Sequence, residues 1–209
     1  MPAITREEGE LYERHWQLLC QWNEQMSLVS RTSLTTALAT HYLDSIWMSD
    51  FAVRFGSEPF FDLGTGAGFP GIIFGIRHPT KTIVLFEKSL KKQSFLSVAL
   101  SQLQLPNIEL RGLFEGSGKK GTLLGRAVIP REELFPFAAK TLAPGAFLMT
   151  SLGGNATPSN LPAGFEKVAE ESYELPLGCG SRRVEMLRIV PRGTKPTASS
   201  STKRSTKKN

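Results

Sequence analysis

The stretch from Phe60 to Gly71 (Phe-Phe-Asp-Leu-Gly-Thr-Gly-Ala-Gly-Phe-Pro-Gly) limits what this chain can fold into more than any other. It reads as the end of a buried strand, a glycine turn and the start of a helix. Phe60 and Phe61 suit a strand interior, and Asp62 sits where that strand runs out. Gly64, Gly66 and Gly68 lack a Cβ, so the backbone can turn sharply and approach a ligand closely. Pro70 suits a first helical position, where its missing N–H leaves nothing unpaired. The apolar run Ile72, Ile73, Phe74 lets the helix pack on the strand, and its N-terminus offers free N–H groups beside the turn.

Three readings fit this loop. One is a plain glycine turn. Another is a dinucleotide site, because Gly66 to Gly71 matches G-x-G-x-x-G. The third is an S-adenosylmethionine loop of the form acid-x-Gly-x-Gly-x-Gly, which Asp62 to Gly68 fits without a gap, with Asp62 near the amino-acid end of the cofactor. Downstream, Thr82 to Phe86 reads as a buried second strand ending in Glu87, 21 residues after Gly66. An acid there reaches a ribose diol. It speaks against the plain turn without separating the two nucleotide readings.

The rest of the chain alternates strands and helices, as a parallel sheet requires. Amphipathic helices are expected over residues 7–28 (Leu11, Trp16, Leu19, Trp22, Met26 on one stripe) and 34–53. On the second, His41 and Asp44 are spaced to pair locally. Helices follow from the glycine loop to about Arg77, over 91–103 and over 131–142. Strands are expected at 108–111, 123–124, 146–152, 173–177 and 184–190, with loop over 153–164. After the third strand, Phe114 is placed either to face an adenine ring, with Glu115 at its polar atoms, or to return to the core.

Composition excludes several classes. The chain has 209 residues, 40% of them hydrophobic, enough for one substantial core. It shows no run of about 18 apolar residues and no signal-peptide core, so no membrane span is expected. Cys20 and Cys179 form no motif, which fits a reducing cytoplasm, and His15, His41 and His78 lack ligand spacing, so no metal is expected. The net charge of +6 is localised: the six basic residues Arg192, Lys195, Lys203, Arg204, Lys207 and Lys208 leave 19 basic against 19 acidic groups before them. The Ser, Thr, Pro and Lys composition of 192–209 is that of a disordered segment. It is either a solubilising tail or an arm for an anionic partner.

With helices before a first strand that ends in this loop, the chain resembles the bacterial small-subunit rRNA guanine-N7 methyltransferases, the RsmG or GidB family. The resemblance rests on Trp22-Asn23, His41-Tyr-Leu-Asp44-Ser45, Asp62 to Gly71, Phe86-Glu87 with Lys91-Lys92 and Phe95-Leu96, and Arg126-Ala127, over about residues 11 to 190. Thr40, Ser27 and Ser151 stand where the family usually has Arg, Asn and Lys.

The resemblance implies an α/β, doubly wound Rossmann-like methyltransferase sheet over 57–191, with a helical extension over 1–56; the basic tail over 192–209 lies outside the resemblance. It implies S-adenosylmethionine as cofactor, held by Asp62, Gly64, Gly66, Gly68, Phe69, Glu87, Phe114, Glu115 and Arg126. His41, Lys91, Lys92 and Arg126 would face the RNA, and the protein would act on 16S rRNA or a subunit precursor as a cytoplasmic monomer. No catalytic base is expected, because guanine N7 carries a lone pair and no proton. Methyl transfer to another substrate, and nucleotide binding without methyl transfer, remain open alternatives.

Overall fold

The computed structural model describes residues 2–30, 34–126, 129–153 and 161–191. The basic tail, Ala127 and most of the expected 153–164 loop lie outside the described residues.

Helix α1 (Arg6–Asn23) starts at a capping box: Thr5 accepts from the Glu8 amide, and the Glu8 carboxylate accepts from the Thr5 amide. It stops five residues short of the expected end. There Asn23 Oδ1 captures the amides of Leu28 and Val29 at 2.8 and 3.0 Å, offering the backbone an alternative to helical bonding. The helix expected over 34–53 is also interrupted. A π-helical turn, Leu38–Leu43, leads into α2 (Asp44–Phe55). The wide turn shifts the helical phase, so Tyr42, Leu43, Asp44, Ser45 and Ile46 are all buried in succession.

Among the described residues, seven strands form one sheet in the order β3-β2-β1-β4-β5-β7-β6. They are β1 (Phe60–Leu63), β2 (Ile83–Phe86), β3 (Ile108–Arg111), β4 (Thr122–Gly125), β5 (Phe147–Gly153), β6 (Phe165–Glu174) and β7 (Ser181–Ile189). The first five are parallel, and β7 runs antiparallel to both β5 and β6. Helices α3 (Gly71–Arg77), α4 (Leu90–Leu103) and α5 (Arg131–Thr141) lie close to their expected positions.

Strand periodicity divides the core in two. Phe60, Ile83, Leu85, Leu124, Met149 and Met186 join the cluster that contains Leu19 of α1, Phe51 of α2, Phe74 of α3 and Phe95 of α4. Phe61, Val84, Phe86, Leu123, Leu148 and Leu187 face Leu134, Phe135 and Ala138 of α5. The N-terminal helices therefore share one core with the sheet. Arg77 fastens their ends: its guanidinium bonds Asp50 of α2 at 2.9 Å, Glu8 of α1 at 3.0 Å and the Ala3 carbonyl at 2.7 Å.

Strand β6 begins eight residues before the expected 173. Its run Phe-Glu-Lys-Val-Ala-Glu-Glu-Ser-Tyr-Glu buries Phe165 and Tyr173 at its ends and leaves most charged positions half-buried or exposed. That suits an edge strand, where charge discourages further pairing, and it reads as loop when only apolar alternation is sought.

Candidate functional site

The order of the sheet reverses between β1 and β4, and the crevice outside the carboxyl ends of the strands at such a point is where open α/β sheets bind ligands. Beside it, over the ends of β1, β2 and β3, lies a cavity of about 630 Å³, within the usual range for small-molecule sites. Gly64, Glu87, Lys92 and Phe114 line it together with Phe86 and Leu113.

Gly64, at the start of the glycine turn, forms part of one wall; Gly66 and Gly68 lie outside the lining. Gly64 and Thr65 amides bond the Phe86 carbonyl at 2.8 and 3.1 Å, holding the turn against the end of β2. Gly68 has φ +88°, and a Cβ there would stand 2.6 Å from Ile72 Cδ1, so only glycine fits this approach of turn to helix. Glu87 is 6% exposed, with Oε2 accepting from the Gly66 amide at 3.1 Å and Oε1 from the Ser89 amide at 2.9 Å. Each carboxylate oxygen keeps further acceptor capacity toward the cavity.

Asp62 lies beneath the turn, 1% exposed, and accepts from the Gly71 amide at 2.9 Å. Burial raises its carboxyl to about 6, against the Thr65 hydroxyl and the Gly71 amide, which pull it down. Its place is that of a staple from turn to helix.

Phe114 returns to the core, as one of its two expected placements has it, and also borders the cavity. It is 9% exposed, packed 4.6 Å from Phe86 and 5.4 Å from Phe61 between ring centres, and it still contributes to the cavity wall. Glu115 is exposed and is not part of the lining.

Phe69 turns away from the cavity and stacks on His41, with ring centres 5.0 Å apart at 23°. His41 and Asp44 are bridged by Arg126 rather than paired directly. Arg126 Nη2 donates to the Thr40 carbonyl at 2.6 Å and to His41 Nδ1 at 3.3 Å, and it forms an ion pair with Asp44 Oδ2 at 3.1 Å. Asp44, 2% exposed, also accepts from the Tyr173 hydroxyl at 2.7 Å. Burial and the Arg126 charge lower the His41 pKa to about 4, so its imidazole is neutral at pH 7. Lys91 is exposed on the first turn of α4, beside Lys92.

Sequence reasoning missed Lys88, Leu113, Ile129, Glu133 and Phe137 in the lining. The last three stand on or just before α5, brought over the site by the tertiary fold. It also missed His15, which bonds the Ala67 carbonyl of the glycine turn at 3.0 Å. The available signal was a polar residue within the apolar stripe of α1.

The chemistry of this lining fits S-adenosylmethionine: a buried carboxylate with spare acceptor capacity, an apolar wall of Phe86, Leu113 and Phe114, and the backbone of Gly64 at the start of the glycine turn. Among the described residues, no group of three or more His, Cys, Asp or Glu is arranged to hold a metal, and no helix is long and apolar enough to cross a membrane. Another cavity of about 470 Å³, between α1 and the 34–42 segment, contains none of the strand-end or glycine-turn residues.

Comparisons with known proteins give the family and the fold. The family model described as rRNA small subunit methyltransferase G matches residues 8–161. The Ribosomal RNA small subunit methyltransferase G 1 of Syntrophobacter fumaroxidans is 32% identical over 205 residues, covering 90% of this chain and 90% of that protein. The Ribosomal RNA small subunit methyltransferase G of Halorhodospira halophila is 29% identical over 178 residues, covering 84% and 76%. Among solved structures, a mutant of MtNAS in complex with S-adenosylmethionine superposes with a TM-score of 0.57 at 13% identity, covering 88% of this chain and 76% of that one. The TYW2 of P. horikoshii, in complex with MeSAdo, gives 0.52 at 15% identity, covering 72% and 62%. At these identities the likeness is one of fold.

Proposed function

The chain belongs to the rRNA small subunit methyltransferase G family, and we propose that it transfers the methyl group of S-adenosylmethionine to N7 of a guanine in 16S rRNA. The observation that carries this reading is the cavity that puts Glu87, Gly64 and Phe114 on common walls at the strand ends.

When bound, the cofactor supplies an electrophilic methyl group on a sulfonium. Glu87 would accept from the ribose diol, and its bond to Gly66 fixes the turn. Phe114, packed on Phe86, would form the apolar side of a purine slot. Gly64, Gly66 and Gly68 give the backbone its close approach, and Asp62 acts from below by holding the start of α3. Phe69 acts through its stack on His41.

The reactive end of the cofactor would lie toward β4, where Arg126 and His41 meet. Arg126 and His41, with Lys91 and Lys92 on the rim, would face the RNA. Guanine N7 needs no deprotonation, so alignment of N7, methyl carbon and sulfur suffices, and a neutral His41 adds no positive charge against a product that gains one. The base must be splayed from its helix to reach the site. Residues 57–191 carry this activity, 1–56 support the cofactor turn, and the protein works as a cytoplasmic monomer.

The test uses purified protein, labelled S-adenosylmethionine, and small-subunit particles or rRNA from a strain lacking the enzyme. Label recovered as N7-methylguanosine supports the proposal. Label on another base or on ribose moves the assignment to a different methyl acceptor.

A further inference from the structure

His15 stands in the middle of α1, fully buried at 0% exposure. Its Nε2 is 3.0 Å from the carbonyl oxygen of Ala67, and its Nδ1 is 2.8 Å from the hydroxyl of Tyr42 in the π-helical turn. A carbonyl can only accept, so Nε2 carries the hydrogen; the neutral ring then accepts at Nδ1, and Tyr42 donates to it. The chain of hydrogen bonds has one direction, from Tyr42 O–H to Nδ1 and from Nε2–H to Ala67. Burial lowers the ring's pKa to about 4, which keeps it neutral at pH 7. Phe69 packs against the same imidazole, with ring centres 5.3 Å apart.

Ala67 lies between Gly66 at φ +62° and Gly68 at φ +88°, two residues with wide conformational freedom. Glu87 restrains the Gly66 amide on the cavity side. His15 restrains the carbonyl of the next residue, Ala67, from α1. We propose that His15 is a positioning residue: through its Nε2–H bond to Ala67, the N-terminal helix presets the glycine turn in the conformation that receives the cofactor. The proposal rests on the cavity being the S-adenosylmethionine site.

The experiment compares the full chain with His15→Leu and His15→Gln. The leucine removes the donor, whereas the glutamine amide nitrogen lies the same number of bonds from Cβ as the histidine Nε2. Calorimetry gives the affinity for S-adenosylmethionine, and methyl transfer to rRNA gives kcat and KM for each substrate. His15→Leu should bind the cofactor about five- to tenfold more weakly, with the cofactor KM raised in step, kcat and the rRNA KM within about twofold, and His15→Gln largely restored. Parental affinity in His15→Leu overturns the proposal. Equal loss in both variants also overturns it, since packing rather than the donor would then matter. Absence of cofactor binding by the parent overturns the underlying reading as well. Should His15→Leu fail to fold, nitrogen-15 histidine spectra of the parent decide: an Nε2–H tautomer that shifts on adding S-adenosylmethionine supports the proposal, and an Nδ1–H tautomer overturns it.

Discussion

The carboxylate of Glu87, at the end of β2, accepts from the amide of Gly66 in the turn that follows β1, with 3.1 Å between Oε2 and N. One acid thus both shapes the glycine turn and faces the cavity. Glu87→Ala should weaken S-adenosylmethionine binding by about 1.5 to 3 kcal/mol while the protein stays folded, as expected for losing a charged acceptor. Titration calorimetry alongside a thermal melt checks this; an affinity within twofold of the parent would remove Glu87 from the ribose.

Asp62 carries an unfavourable charge in the folded chain, since burial raises its carboxyl from 3.8 to about 6. Below about pH 4 the folded and unfolded chains both hold the proton. Between about 4 and 6 only the folded chain does, so stability falls as pH rises, and above 6 the full penalty stands. Asp62→Asn keeps an acceptor for the Gly71 amide without the charge. It should be more stable by about 1 to 2 kcal/mol at pH 7.5, with the advantage gone near pH 4. Urea unfolding at the two pH values reads this directly.

Arg126 joins the end of β4 to the π-helical turn through Thr40, His41 and Asp44. Arg126→Ala leaves the buried Asp44 with the Tyr173 hydroxyl and with Arg182 at 4.0 Å. Breaking a buried pair from one side should cost about 3 kcal/mol of stability. The same change should raise the His41 pKa, because a neighbouring positive charge is removed. Chemical denaturation and a histidine NMR titration measure the two effects.

All of the net positive charge follows residue 191. Truncation after Val190 should flatten the dependence of log K on log salt for RNA binding, by roughly 0.7 to 0.9 for each phosphate that the tail no longer neutralises, and leave the affinity for S-adenosylmethionine intact. Filter binding across a salt series supplies the slope. A slope equal to that of the full chain assigns the tail to solubility instead.

Much of the site was legible because its signals are local. A glycine with φ +88° pressed on Ile72, and an acid at the end of an apolar strand, are requirements that a short run of residues must meet by itself. Phe60 to Gly71 and Ile83 to Glu87 therefore announced strand, turn, helix and an acid at the cavity in the sequence. The ends of α1 and β6 were less legible, because a side-chain cap at Asn23 and an edge position in the sheet override periodicity.

What the sequence by itself determined was the parallel α/β order, the cofactor turn and the family resemblance, all carried by contiguous patterns. Only the tertiary structure decided which distant groups meet. Nothing in residues 6–23 indicates that His15 reaches a carbonyl 52 residues away. Nothing near His41 indicates that Arg126, 85 residues on, would stand between it and Asp44. Such meetings occur because the helices and the strand ends share one core, and the sheet order that brings them together is settled by packing of the whole chain rather than by any segment of it.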